Sequence, residues 1–437
     1  MARILITCFG SYGDLYPYVA IGRALQTRGH QVTLGTAKIY QDKLAAEGLA
    51  FCHLRCAPDR LTTPEQIRGF LQDAFDGRRG AEKLVRAMTS SIEETYLDTR
   101  AAARNADLVI SHPLAFATPI VCRELRIAWL STMLAPMFFL STVDPPVIGG
   151  APWLRPIHTL SPRLYRSLFR LLRRSTDSWV QPIAELCRRR GLAALLASPL
   201  FEGQYSPQGT LALFPSALAQ RQPDWPPNTI ITGFPLHSSE EANPQTLRSL
   251  EAFLRGGEAP LVFALGSSAV HIARDFFVVS AQAARRLSRR AVLVTGAQTA
   301  NRTGLEAADD LFIIDYVAYD QLFPHASVLI HQGGIGTLAQ ALQARRPMLV
   351  VPFGFDQHDN AHRVTRLGVA LTLSRKDYLV DKVAAPIDAL ARRPSFARAA
   401  ALLGARVQAE DGIANACAAV EALLAAQTRR PVAPANS

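Results

Sequence analysis

The chain has 437 residues, 49% hydrophobic and only 19% charged, which excludes a disordered or fibrous protein and exceeds one ordinary domain. Its formal net charge is +11, and Lys occupies only positions 38, 43, 83, 376 and 382, so the positive charge is mostly Arg. That balance points to one of three partners: nucleic acid, an anionic membrane surface or a phosphorylated ligand.

In chain order, residues 3–7 read as a buried strand, followed by a glycine turn and a helix over 15–28 with Leu15, Val19, Ile21, Ala24 and Leu25 at helical spacing. Gly29 closes the helix, and a second strand starts at 31–35. Short apolar runs at 107–111 and 127–131 predict two more strands, with a helix over 118–125 between them. Strand–helix alternation of this kind implies a parallel, doubly wound sheet. Residues 155–190 read as helical and carry nine arginines against Asp177 and Glu185. The stretch 215–235 is proline-rich and reads as a linker. Beyond it the alternation restarts, with strands expected at 261–266, 291–295, 311–315, 327–331, 348–352 and 369–373. From about 381 the chain is helical and alanine-rich.

The expected architecture is therefore α/β, with two Rossmann-like domains facing each other across a cleft. The expected divisions are a first domain at 1–214, a linker at 215–236 and a second domain at 237–404. A C-terminal helix at 405–427 is expected to cross back to the first domain, and a tail at 428–437 to be disordered. The N-terminus reaches glycine after nine residues, too short an apolar run for a signal peptide. The most apolar stretch, 127–143, is interrupted by Pro136 and hydroxyl residues and falls short of a membrane span. The six cysteines (8, 52, 56, 122, 187, 417) form no CxxC, which suits a reducing compartment. A cytoplasmic protein is expected.

Four clusters carry chemistry. Gly10–Asp14 follows the first strand, where open α/β sheets bind ligands. Asp14 there is either a proton acceptor at the cleft or a cap of the next helix. Gly266-Ser267-Ser268 follows the strand at 261–266 and offers small residues with free N–H groups. The strongest cluster is His331-Gln332-Gly333-Gly334-Ile335-Gly336-Thr337, three glycines at a helix N-terminus beside a ring N–H and a hydroxyl. It has no GK[ST], so it is not an ATPase P-loop. Asp356 and Gln357 lie after the strand at 348–352, adjacent polar groups suited to vicinal hydroxyls. His358 and Asp359 lack a second imidazole, and no D-x-D pair occurs, so no metal is expected. His112 follows another strand; it would orient Asp14, replace it as base, or be an ordinary loop histidine.

The order GSYGDLYPYVAIGRALQTRGHQVTL … FALGSS … HQGGIGTLAQALQARRPMLVVPFGFDQHDN resembles the family 1, nucleotide-sugar-dependent glycosyltransferases of GT-B fold, from residue 3 to about 420. Within them, residues 206–236 resemble the rhamnosyltransferases of bacterial rhamnolipid synthesis and related lipid and flavonoid glycosyltransferases. The resemblance implies Asp14 as general base and His331, Gly334, Gly336, Thr337 and Ser267 as diphosphate-binding residues. It implies Asp356 and Gln357 at the sugar, and Tyr316 and Val317 at the start of the base-stacking segment, without the usual Trp. Position 339 is Ala where plant members have a ribose-binding Glu, which favours a dTDP-sugar donor and leaves a UDP-sugar open.

The implied activity is inverting transfer of a hexose, rhamnose or glucose, without a resident cofactor. Trp129, Met133, Met137 and Phe138 either line a pocket for a hydrophobic hydroxylated acceptor or belong to the core. The arginine-rich segment is either a solvated face or a peripheral contact with an anionic membrane at its inner face. Nucleic acid is not expected, since no stacking array accompanies the charge. A sugar-nucleotide epimerase and a non-catalytic sugar-nucleotide-binding partner protein are the alternatives.

Overall fold

The computed structural model describes residues 1–77, 79–193, 197–237 and 243–428. The first sheet contains β1 (Arg3–Thr7), β2 (Gln31–Thr36), β3 (Ala50–His53), β4 (Leu108–Ser111), β5 (Trp129–Met133), β6 (Thr210–Ala212) and β7 (Thr229–Ile231). Its order is β3-β2-β1-β4-β5-β6-β7, and every pair is parallel. The second sheet contains β8 (Leu261–Ala264), β9 (Ala291–Val294), β10 (Leu311–Ile314), β11 (Val328–His331), β12 (Met348–Val350) and β13 (Ala370–Thr372). Its order is β10-β9-β8-β11-β12-β13, again parallel throughout.

The central strands are continuous apolar runs because helices cover both of their faces. Ile4, Leu5, Ile6, Leu108, Val109 and Ile110 are all buried, as are Leu261, Val262 and Phe263 in the second sheet. In both sheets the strand order reverses beside the first strand, between β1 and β4 and between β8 and β11. The crevice outside the carboxyl ends at such a reversal is where open α/β sheets hold ligands. Gly10–Asp14, His112, Ser267 and His331 all stand at these four strand ends.

Two expectations need correction. The proline-rich stretch is not linker throughout: β7 lies inside it and pairs with β6, so the first sheet runs on to Ile231. Pro226 and Pro227 sit in the turn before β7, an edge strand, where missing N–H donors are tolerated. The region 155–190 is helical as expected, in three helices, Leu154–Leu160, Pro162–Ser175 and Gln181–Arg189, each later one opened by a proline in its first turn. The expected 405–427 helix is the end of one helix, Pro394–Gln408, and most of another, Gly412–Thr428.

The last helix lies against Tyr12–Thr27 of the first domain, where the Cys417 thiol meets the Ile21 carbonyl and Arg28 pairs with Glu421 at 2.8 Å. Of the expected tail, 429–437 lie outside the described residues, and Thr428 ends the helix. Among the described residues, no helix is long and apolar enough to cross a membrane.

Candidate active site

On the first domain, the turn after β1 is shaped around one carboxylate. Gly10 has φ +132°, and a Cβ there would stand 2.3 Å from Asp14 Oδ2, so glycine is required on both conformational and steric grounds. Tyr40 fixes the turn by donating its hydroxyl to the Gly10 carbonyl at 2.7 Å. Asp14 is the third residue of the helix Tyr12–Thr27, whose N-cap is Ser11. Asp14 Oδ2 accepts from the Ser11 N–H at 2.8 Å and from its hydroxyl at 3.1 Å. The capping alternative for Asp14 therefore describes one of its oxygens.

The other oxygen, Oδ1, faces His112 Nε2 at 3.5 Å, longer than a formed hydrogen bond. His112 is buried, and its Nδ1 accepts the Leu114 N–H at 3.1 Å. A neutral ring in that position carries its proton on Nε2, facing Asp14. Tyr18 packs edge-on against the ring, and its hydroxyl is paired with Thr132, which in turn donates to the Ser111 carbonyl at 2.8 Å.

On the second domain, His331 ends β11 and is fully buried. Burial pushes its pKa down to about 3, so it is neutral. Its Nδ1 accepts the Gly333 N–H at 3.0 Å, and its Nε2 has no partner. A buried N–H without an acceptor is costly unless a ligand supplies one. Gly333 turns the chain with φ +86°, and a Cβ there would stand 2.6 Å from Val350 Cγ1. Gly334 then caps the helix Ile335–Gln343. Gln332 donates its amide to the Thr337 hydroxyl at 3.4 Å, while its Oε1 is buried and unpartnered. Ser267 is half-buried after β8 on the neighbouring loop. The two domains meet at this point: a Cβ on Gly336 would lie 3.9 Å from the Gly13 carbonyl.

Asp356 and Gln357 open the helix Gln357–Arg366. The surrounding protein and the nearby Asp14 charge push the Asp356 carboxyl up to about 7. Asn360, one turn on, donates to Asp356 Oδ2 at 2.7 Å and to the Gly333 carbonyl at 3.0 Å. It thereby ties the carboxylate to the glycine loop. Sequence reasoning missed Asn360; its i+4 spacing from Asp356 was the available signal. Gln357 is buried, and its Oε1 accepts the N–H groups of Phe353 and Gly354 at 2.8 and 3.2 Å, which fixes the side chain against its own loop. Among the described residues, no three His, Cys, Asp or Glu side chains gather as a metal site.

The remaining expected residues divide. Tyr316 is exposed two residues past β10, but Val317 is buried, so only its backbone can meet a base. Trp129 is buried at the start of β5, the end remote from the cleft, and Arg123 stacks on its ring. It is core and not pocket. Met133 is fully buried at the cleft end of the same strand. Met137 and Phe138, in the short 3₁₀ turn Pro136–Phe139 beyond it, are half-buried and remain near the cleft. The Phe139 ring stacks on Trp225 and anchors that turn.

Two parallel-sheet α/β domains, with a carboxylate on one lip of the cleft and an orphan imidazole N–H on the other, have the GT-B architecture. Comparison with known proteins identifies the family. Residues 4–142 match the glycosyltransferase family 28 N-terminal domain, and residues 284–423 match the erythromycin biosynthesis protein CIII-like C-terminal domain. The chain is 30% identical over 432 residues to O-mycaminosyltylonolide 6-deoxyallosyltransferase of Streptomyces fradiae, covering 96% of this chain and 97% of that one. It is 25% identical to a sterol 3-beta-glucosyltransferase of Arabidopsis thaliana, covering 84% of this chain but only 57% of that longer protein. Among solved structures, CalG4, the calicheamicin glycosyltransferase, superposes with a TM-score of 0.72 at 16% identity, over 99% of this chain and 100% of the other. Glycosyltransferase VinC in complex with dTDP superposes with a TM-score of 0.65 at 21% identity, over 98% and 100%. The chain belongs to this glycosyltransferase family and is a hexosyltransferase of GT-B fold.

Proposed function

We propose that the protein moves a hexose, rhamnose or glucose, from a dTDP- or UDP-sugar to a hydroxyl of a hydrophobic acceptor, in one displacement with inversion. The carrying observation is that Asp14, with one oxygen held and one toward the cleft, stands opposite the loop of the unpartnered His331 Nε2. The acceptor oxygen attacks the anomeric carbon, its proton passes to Asp14 Oδ1, and the bond to the diphosphate breaks. A carboxylate is a far weaker base than the alkoxide of the acceptor, so proton transfer is late and concerted with attack.

His112 has Nδ1 occupied and its Nε2 proton facing Asp14, which favours orienting Asp14 over acting as base in its place. The His331 N–H, the loop N–H groups after Gly334 and the Thr337 and Ser267 hydroxyls receive the diphosphate, with no metal or other cofactor required. Asp356 and Gln357 hold the sugar hydroxyls, and the segment at Tyr316, with the Val317 backbone, meets the base. Ala339 is buried, so no carboxylate reads a ribose 2′-hydroxyl from that position, which favours dTDP; the dTDP-bound neighbour agrees.

A macrolide-type and a sterol relative support an apolar acceptor, with Met137 and Phe138 beside it and Met133 behind. The rhamnolipid-type lipids belong to the same acceptor class. Exposed Trp153, Leu160, Leu164 and Leu171 alternate with Arg163, Arg166, Arg170 and Arg174, which supports peripheral contact with an anionic membrane. Relatives that are transferases disfavour the epimerase and silent-binder alternatives.

The test is a donor-by-acceptor panel: dTDP-rhamnose and UDP-glucose, each with and without mixed hydrophobic alcohols. Nucleotide release that depends on acceptor is expected. Release that ignores acceptor in every pairing, or none at all, sinks the proposal.

A further inference from the structure

The helix Gln357–Arg366 begins at the sugar-side pair, but its second turn faces the other domain. Asp359 and Arg363 are buried. Arg363 donates from Nε to Asp359 Oδ2 at 2.7 Å, and from one terminal nitrogen to Asp144 Oδ2 at 2.6 Å and the Leu218 carbonyl at 3.2 Å. The Val147 N–H donates to Asp359 Oδ1 at 3.0 Å. Asp144, Val147 and Leu218 all belong to the first domain. Gly149 presses on His358, where a Cβ would stand 2.4 Å from the ring.

The same loop is held at its base by its own domain. Ser141 and the Thr142 N–H donate to the Asp224 carboxylate at 2.7 and 2.6 Å. Residues 141–149 are therefore pinned to the first domain at one end and to the sugar-side helix at the other. Met137 and Phe138 lie directly upstream of that base.

A buried Arg between two carboxylates adds little stability over an apolar contact, but it does fix distance and direction. Its three groups meet only when the domains stand at one separation and register. We propose that Arg363, with Asp359 and Asp144, is a clasp that sets the acceptor-side loop against the donor sugar. Arg363 and Asp144 are then positioning residues for transfer. This rests on the transfer function proposed above. Misplacement of reacting groups by about 1 Å costs on the order of 100-fold in rate.

Asp144→Asn keeps the shape and removes the charge; Arg363→Lys keeps the charge and loses the two-way reach. In both, the kcat of sugar transfer is expected to fall by about 10- to 100-fold. The affinities for dTDP and UDP and the rate of acceptor-independent donor hydrolysis should stay nearly unchanged. Amide exchange in 141–149 should rise. Wild-type transfer and exchange in Asp144→Asn would overturn the clasp, as would nucleotide affinity lost in parallel with transfer. Amide exchange reads the clasp even if the unaltered protein transfers no sugar, so failure of the functional proposal and failure of the clasp are distinguishable.

Discussion

The two acidic residues that face each other across the cleft lead to opposite expectations. Asp14 is partly exposed, and its Oδ2 is held by Ser11. Asn can keep that contact through its carbonyl oxygen, so Asp14→Asn should fold normally and bind nucleotide as before. Turnover should drop at least about 100-fold, the lower range for a general base; near-normal turnover would remove Asp14 from the mechanism.

Asp356 is different, because its carboxyl is pushed up to about 7. Its folded pKa lies above its unfolded value of about 3.9. The folded state therefore keeps a proton that the unfolded state has released, and stability falls as pH rises from about 4 to about 7. Asp356→Asn should melt higher than the native protein above pH 7, and the advantage should fade as the pH is lowered toward about 4. Its donor kcat/KM should fall by about 10-fold or more, as for a lost hydrogen bond to a charged group. Thermal melts at several pH values beside donor kinetics check both, and an Asn variant that melts lower at pH 8 would refute the strain on Asp356.

At the scale of elements, the sequence was legible where burial is simple. Each expected strand falls within two residues of its range, because both faces are covered and the apolar run is unbroken, whereas β3 at the sheet edge and the three-residue β6 were not expected at all. β7 was not legible, because its three residues follow a proline pair whose local signal is a turn. The glycine loop was legible through its composition, but the Asn360 bridge and the clasp were not. Asp144 and Arg363 are 219 residues apart, and no local period records such a meeting. The core and pocket readings of Trp129 stay open in sequence because apolar residues at a strand's two ends look alike there; its place at the remote end of β5 decides for core.

The helix Pro162–Ser175 is a case where the fold sharpened a charge signal. Tyr165 is its buried anchor, while Leu164 and Leu171, one face apart from the arginines, stay in solvent. Binding to vesicles of phosphatidylglycerol and phosphatidylcholine at low salt is expected, each basic residue near the surface adding about 1 kcal/mol. Leu164→Ser/Leu171→Ser should weaken it while leaving transfer to a water-soluble acceptor intact. Sedimentation without the vesicles at low salt would exclude the membrane contact.

At the scale of the molecule, the two connections between domains run side by side. Asn415 donates to the Thr232 carbonyl at 2.9 Å, the Ser216 N–H donates to Glu410 at 3.1 Å, and a Cβ on Gly412 would lie 2.6 Å from the Phe234 carbonyl. The helix Gly412–Thr428 is thus part of the first domain's wall, with Ala416, Cys417 and Val420 fully buried and Ile21 beneath them. One apolar cluster extends from the first sheet through these residues to one face of the second. With one apolar cluster shared between them, the two domains are expected to unfold as one cooperative unit in the full chain. Deleting residues 412–428 uncovers several apolar side chains at about 1.5–3 kcal/mol each for the larger ones. At about 2–4 °C per kcal/mol, the first domain's Tm should fall by roughly 10 °C. Calorimetry should then resolve two transitions where the full chain gives one, with the lower belonging to the first domain. An unchanged single transition would mean that the last helix is an appendage, and that the two domains are joined by the clasp and the crossing at 232–237 alone.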